Sequence, residues 1–326
     1  MDFVTQFLKN LEGVVSAISQ ERIKKRVVGD NVWLSHDLQS TNEILARLQP
    51  RKLNYEVLPT EEAIGRAMFD EIEAAANSKL GSLVVIILGG RGAQALHKLL
   101  GNFAKTNEKD SLLQRLHIFT QDALAPLRMD NALSFVRDFE RLLGEAFFKK
   151  ILSFNTIKTD ADDLDAELSR YVARLESLGG IDLFFLGLGP EAGGASHLAY
   201  IKPGSGAALN DVAGVIGISP AILEHHITKF KAGGSQIPEE DELECRAAKH
   251  ILTLGPAAII GARRIVQSIV DASTAPAKRE SYRRLLETEV ASDPEIRERQ
   301  LDENPGLWLR LHNNVRSLIL ADVLES

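Results

Sequence analysis

The sequence has 326 residues, of which 44% are hydrophobic and 25% are charged, as in an ordinary folded globular chain. The net charge of -7 is spread along the chain, which argues against a nucleic-acid-binding surface because such a surface concentrates basic residues. The single cysteine, Cys245, excludes an intrachain disulfide and a cysteine-based metal site. No apolar run of membrane-spanning length occurs, and residues 1–20 carry charges where a signal peptide is apolar. We therefore predict a cytoplasmic protein without membrane contact.

The first 50 or so residues are predicted to be helical. Phe3, Phe7, Leu11 and Val14 follow the spacing of an amphipathic helix, and a second helix is expected near residues 40–48. We predict an N-terminal helical extension over residues 1–54 and one domain over residues 55–326. The apolar face of this extension must be buried against another surface. We therefore also predict a homo-oligomer, because two-fold dimers are the commonest soluble assemblies.

From residue 55 onward, strand and helix patterns alternate. The predicted strands are residues 55–58, 83–88, 117–119, 183–188, 212–218, 251–254, 265–270 and 315–320. The predicted helices follow Thr60, cover residues 93–100, 132–148 and 163–178, begin at Ser219-Pro220, and cover residues 278–290. This alternation predicts an α/β fold, a three-layer Rossmann-like sandwich with a mostly parallel sheet.

The strongest candidate for a site is residues 182–203, DLFFLGLGPEAGGASHLAYIKP. Its continuous apolar run predicts a strand that is covered on both faces. The glycine-rich turn that follows, which includes Gly189, places His197 at the carboxyl edge of the sheet, where open α/β sheets bind ligands. A long surface turn with a stray histidine is the alternative.

A second glycine-rich loop, GRGAQA at residues 90–95, follows a predicted strand and opens a helix. Three interpretations stay open. The loop satisfies a loose dinucleotide-binding pattern, but the acidic residue expected about 20 positions on is missing. Free N–H groups at the helix start can instead hold a sugar phosphate, with Arg91 adding charge-assisted bonds. A purely structural turn is the third possibility.

Asp122 lies just beyond the predicted strand at residues 117–119. In a parallel sheet this position is at the same edge as the two glycine-rich loops, and a carboxylate there can serve as a general base. A turn or capping aspartate is the alternative.

The order of these segments resembles the glucosamine-6-phosphate deaminase and 6-phosphogluconolactonase family of sugar-phosphate enzymes. The likeness runs from about residue 55 to the C-terminus, through YEVLPTEEAIGRAM, ILGGRGAQALHKLL, HIFTQDALAP, LFFLGLGPEAGGASHLAYIKP, KHILTLGPAAIIGARRIVQSIV and GLWLRLHNNVRSLILAD. The resemblance implies an enzyme of carbohydrate metabolism that takes a phosphorylated sugar and needs no cofactor or metal ion.

The resemblance also implies roles for individual residues. Asp122 matches the aspartate that moves a proton between C1 and C2 of the opened sugar, and His197 matches the ring-opening acid/base. The loop of Gly90, Arg91 and Gly92 takes the place of the family's phosphate loop.

The phosphate-binding lysine of the family aligns with Thr274, and Lys278 follows one turn later. We therefore predict Lys278 as a phosphate ligand.

Two carboxylates of the family's histidine loop are missing from this sequence, where Ala195 and Lys202 stand instead. We expect Lys202 beside His197 to lower the pKa of the imidazole, because a nearby cation disfavours the imidazolium. Glu191, across an enlarged loop, is the candidate to replace a lost carboxylate.

Three functional hypotheses follow. The first is an enzyme that isomerises, deaminates or hydrolyses phosphorylated sugars with Asp122 and His197. The second is a non-catalytic sugar-phosphate sensor on the same fold, which the two lost carboxylates favour. The third is a nicotinamide-dependent enzyme that uses the loop at residues 90–95.

Overall fold

The computed structural model describes residues 23–37 and 41–325 of the chain. The strands are β1 Ile23–Val28, β2 Asn31–His36, β3 Tyr55–Leu58, β4 Leu83–Ile87, β5 Leu116–Thr120, β6 Asp122–Ala125, β7 Ser153–Asn155, β8 Leu183–Leu186, β9 Leu188–Pro190, β10 Ser196–Leu198, β11 Asp211–Gly217, β12 His250–Leu254, β13 Ile265–Ile269 and β14 Val315–Leu320. The helices are α1 Thr41–Arg47, α2 Glu61–Ser78, α3 Gln94–Thr106, α4 Asp110–Leu113, α5 Phe135–Lys150, α6 Leu164–Ser177, α7 Pro220–Ala232, α8 Glu239–Arg246, α9 Pro256–Gly261, α10 Ala277–Glu287 and α11 Pro294–Glu303.

Seven strands form a parallel sheet in the order β3-β14-β13-β8-β4-β5-β7. Its central strands β4 and β8 are buried along their whole length, which explains their unbroken apolar sequences. The predicted α/β fold with a mostly parallel sheet is confirmed.

A second, antiparallel sheet has the order β1-β2-β11-β12-β6 and is absent from the sequence prediction. The chain passes from the parallel sheet to this one between Thr120, which ends β5, and Asp122, which opens β6. Asp122 is therefore placed at the junction of the two sheets, where it is paired with Thr253 of β12.

The prediction that the first 50 residues are helical is wrong for β1 and β2, which form a β-hairpin. The two-residue turn Gly29-Asp30, with Gly29 at φ +56°, is a hairpin signal that outweighs the helical spacing. Helix α1 agrees with the predicted second helix, whereas residues 1–22 lie outside the described residues. Because β2 pairs with β11, this sheet joins segments from both sides of the boundary drawn after residue 54, and that boundary stays a prediction.

Two predicted helix starts are confirmed by their capping bonds. The Thr60 hydroxyl accepts a hydrogen bond from the backbone N–H of Ala63, and Ser219 accepts one from Ile222. Each bond satisfies a backbone donor that has no partner within its helix. In the described part of the chain, no helix has the length and apolar character needed to cross a membrane.

Candidate active site

A cavity lies at the carboxyl ends of four neighbouring strands, β13, β8, β4 and β5. The predicted site residues that line it are Arg91, Gly92, Asp122, Gly189, His197 and Lys278. The structure therefore brings both glycine-rich loops and the two candidate acid/base residues to one place. The predicted residues Gly90, Glu191 and Lys202 do not line the cavity.

Asp122 is buried at this cavity, with 2% of its surface exposed. Burial raises the pKa of its carboxyl group to about 6, although the charge of Lys229 and a hydrogen bond from the Gln121 amide act to lower it. A carboxyl group with a pKa near neutrality is well suited to accept and return a proton.

His197 lies on β10, which pairs with β9 in a short hairpin that the sequence prediction merged into a turn. Its ring occupies space that only a glycine leaves open, because a Cβ atom on Gly189 would lie 1.8 Å from the Nε2 of His197. Burial lowers the pKa of His197, Glu191 acts to raise it, and Lys229 and Lys278 lower it further. The lowered pKa favours the neutral form of the imidazole.

Glu191 lies behind His197, with its Oε1 3.4 Å from the Nδ1 of the ring. The Ser219 hydroxyl donates a 2.8 Å hydrogen bond to the same carboxylate oxygen. Burial acts to raise the pKa of Glu191, but His197, Ser219 and the charge of Lys202 outweigh it, so the pKa is lowered. Glu191 is therefore an ionised carboxylate that lies within ion-pair distance of the imidazole without a hydrogen bond to Nδ1.

Lys202 acts on the carboxylate beside His197. Its charge lowers the pKa of Glu191 and so helps to keep that carboxylate ionised. The effect that we expect Lys202 to have on His197 itself stays a prediction.

The loop at residues 90–92 leads through a short 3₁₀ turn, Arg91–Ala93, into α3. Gly90 has φ +77°, a left-handed conformation that glycine adopts without strain. The Ser268 hydroxyl, on β13, donates a 2.7 Å bond to the carbonyl oxygen of Gly92 and so ties the loop to the neighbouring strand. The loop and the start of α3 therefore lie at the edge of the cavity, a position that in general favours an anion.

The two predicted phosphate cations are each held by a carboxylate. Arg91 donates to Glu61 Oε1 at 2.6 Å, and the buried Lys278 donates to Asp271 Oδ1 at 2.6 Å. These partners fix the side chains at the cavity before any ligand arrives, which reduces the ordering that binding requires.

Sequence reasoning missed a third cation, Lys229 of α7, which lines the same cavity. Its aliphatic stem packs on the loop at residues 90–92, since a Cβ atom on Gly90 would lie 2.9 Å from its Cδ. Its ammonium group lies 4.8 Å from the ring centroid of Phe135 and 4.6 Å from that of Tyr200. Such contacts stabilise a cation in a partly desolvated position.

The spacing of residues on α7 could have identified Lys229 as a site residue from the sequence. His225 and Lys229 are four residues apart and therefore share a helix face, and both line the cavity. The neighbouring His226 does not line the cavity and bonds instead to Leu133 and Tyr200. Within the described ranges, no three His, Cys, Asp or Glu side chains form a group that could hold a metal ion.

No family model matches this chain. It is 43% identical over 96 residues to a glucosamine-6-phosphate deaminase of Parabacteroides distasonis, a match over 28% of this chain and 33% of that relative. The deaminase of Staphylococcus epidermidis is 22% identical over 256 residues, which are 78% of this chain and 90% of the relative. This chain is therefore similar in sequence to glucosamine-6-phosphate deaminases.

Solved structures agree with this relationship at the level of the fold. A monomeric glucosamine-6-phosphate deaminase superposes with a TM-score of 0.64 and 22% identity, over 84% of this chain and 100% of that one. The 6-phosphogluconolactonase of Trypanosoma cruzi gives a TM-score of 0.54 and 16% identity, over 85% and 96% of the two chains. The resemblance drawn from the sequence to glucosamine-6-phosphate deaminases and 6-phosphogluconolactonases is confirmed. The chain spans about a third of the length of the Parabacteroides deaminase that it matches.

Proposed function

We propose that this chain is a sugar-phosphate enzyme that transfers protons on an opened sugar, as an aldose–ketose isomerase or an aminosugar-phosphate deaminase does. The observation that carries this proposal is the meeting of Asp122, His197 and three cationic side chains in one cavity. The names of its relatives, glucosamine-6-phosphate deaminases, support the same class of substrate.

The phosphate group is proposed to bind at the start of α3. Backbone N–H groups of the loop at residues 90–92 donate to its oxygens, and Arg91, Lys229 and Lys278 supply the positive charge. This arrangement leaves the sugar carbons to extend toward Asp122 and His197.

The proton transfers are proposed to divide between these two residues. Opening a sugar ring requires an acid/base at the ring oxygen, and the His197 imidazole, with Glu191 beside it, fills this role. Moving a proton between adjacent carbons next to a carbonyl requires a base whose pKa lies near neutrality, and Asp122 has this property. No step needs a cofactor.

The Glu191–His197 pair favours an enzyme over a sugar-phosphate sensor, because a sensor does not need a carboxylate beside an acid/base. The test is an assay of the purified protein with aminosugar phosphates, ketose phosphates and phospho-lactones. We expect turnover of one of these classes, and we expect Asp122→Asn and His197→Ala each to reduce it by about 10²–10⁴-fold while binding persists.

Asp130→Asn is the matched control, because its carboxylate is 74% exposed and does not line the cavity. Turnover unaffected by both Asp122→Asn and His197→Ala would overturn the roles of these two residues. Tight binding of a sugar phosphate without turnover of any substrate class would favour the sensor.

A further inference from the structure

A chain of hydrogen bonds runs from the protein interior to the cavity. The Nε2 of His226 lies 2.8 Å from the carbonyl oxygen of Leu133, so this nitrogen carries the hydrogen and donates it. Burial lowers the pKa of His226 to about 3, so the ring is neutral and its Nδ1 is an acceptor. The Tyr200 hydroxyl, 2.9 Å away, must therefore donate to Nδ1.

This direction leaves the Tyr200 oxygen free to accept a hydrogen bond at the cavity. The ammonium group of Lys229 donates to it. Because the carbonyl of Leu133 can only accept, the whole chain has one orientation, and its cavity end can hold only a donor.

The backbone around Tyr200 is in an uncommon conformation. Ala199 and Tyr200 have φ +49° and +58°, and Leu198 and Ile201 exchange both backbone hydrogen bonds around them. Two-residue turns of this kind favour glycine and asparagine, and residues with a Cβ atom adopt them at a cost in free energy. Backbone strain of this kind is found mainly at functional sites, where it sets the direction of a side chain.

Tyr200 contacts both His197 and Lys229, which line the same cavity. Its ring centroid lies 5.2 Å from that of His197, the proposed acid/base, in an edge-on arrangement. On the phosphate side, the Lys229 ammonium lies 4.6 Å from the same ring, and the lysine stem packs on Gly90.

We propose that Tyr200 is a positioning residue that, backed by His226, holds the Lys229 ammonium at the phosphate side of the cavity and joins that side to His197. This inference rests on the proposed function for the role of Lys229, while the hydrogen-bonded chain itself is independent of it.

The charge state of Lys229 is the property through which this hydrogen-bonded chain can be tested. The charged and titratable groups that face its ammonium are Asp122, Asp138, Asp271, Lys278, His197, His225 and His226. Burial lowers the pKa of Lys229 to about 8, against the attraction of the carboxylates. A hydroxyl acceptor favours the charged form, so its removal should lower this pKa further.

The first test measures Lys229 without any ligand. Competitive labelling of amines with acetic anhydride across pH, read by mass spectrometry, gives the pKa of Lys229 in the native protein and in Tyr200→Phe. We expect the midpoint to move to lower pH in Tyr200→Phe, and His226→Phe to move it in the same direction. Tyr282→Phe is the matched control, because it also removes a buried tyrosine hydroxyl. That hydroxyl lies 2.9 Å from the Ser317 hydroxyl, and neither residue lines the cavity.

An unchanged Lys229 midpoint in folded Tyr200→Phe and His226→Phe proteins would overturn the proposal. The second test is the affinity for a sugar phosphate, which Tyr200→Phe should weaken by about tenfold. If the labelling midpoint moves but the native protein binds no sugar phosphate, then the proposed function fails while the positioning of Lys229 stands. An equal affinity of the native and Tyr200→Phe proteins at every pH would overturn the link between Tyr200 and phosphate binding.

Discussion

The carboxylate of Glu191 lies 3.4 Å from the Nδ1 of His197, and the Ser219 hydroxyl holds it there from the start of α7. The resemblance places supporting carboxylates at two other positions of the same loop, which Ala195 and Lys202 occupy. A carboxylate from the enlarged part of the loop therefore reaches the imidazole by another route.

Glu191→Gln should keep the shape of this contact and remove its charge. Because Glu191 acts to raise the pKa of His197, its loss should lower that pKa further, as seen by NMR titration of the imidazole. We expect turnover to fall about 10- to 100-fold with little change in sugar-phosphate affinity. An unchanged His197 titration would show that the carboxylate does not act on the ring.

Gly189→Ala tests the space that the imidazole occupies. A Cβ atom at this position would lie 1.8 Å from His197 Nε2, so the ring must move. A displaced acid/base should cost about 10²-fold in kcat. Gly217→Ala is the control, since its Cβ atom would meet only ordinary contacts at 3.7 Å or beyond. Normal kcat in a folded Gly189→Ala protein would contradict the assigned ring position.

Gly92→Val tests the anion site at the start of α3. Even a Cβ atom here would lie 3.2 Å from Leu88 and 3.4 Å from the Ser268 hydroxyl, so the larger side chain should crowd the approach of a phosphate. We expect calorimetry to show sugar-phosphate binding weakened on the order of tenfold. Unchanged affinity in the folded variant would exclude this loop as the phosphate site.

The pH dependence of kcat/KM should be bell-shaped. Asp122 acts as a base only when ionised, so activity should rise as pH increases through its pKa of about 6. Lys229 attracts phosphate only when protonated, so activity should fall as pH increases through its pKa of about 8. In Asp122→Asn, the residual activity should no longer rise with pH on the acidic side of the profile. If this rise persists, it belongs to the titration of another group.

The prediction of a homo-oligomer depends on residues 1–22, which carry Phe3, Phe7 and Leu11. We expect sedimentation velocity to show a dimer for the full chain, and a smaller species after removal of this segment, because its apolar residues need a cover. A monomer at micromolar concentration with the segment present would defeat this prediction.

The sequence by itself determined the parallel sheet and the edge at which the site lies. Unbroken apolar runs such as residues 83–88 and 183–188 identify strands that are buried on both faces, and the residues that follow such strands meet at one edge. For the same reason the sequence alone predicts that Asp122 and His197, 75 positions apart, lie close together.

Only the tertiary structure decided what surrounds these two residues. The turn Gly29-Asp30 is a local signal for the hairpin of β1 and β2, but the pairing of β2 with β11, which lies far along the chain, cannot be predicted from the spacing of apolar residues in one segment. The orientation of Glu191 toward His197, the position of Lys229 on Gly90 and the bond from Tyr200 to His226 are side-chain contacts between separate elements. Such contacts depend on distances across packed elements, and the pattern along a single segment carries no information about them.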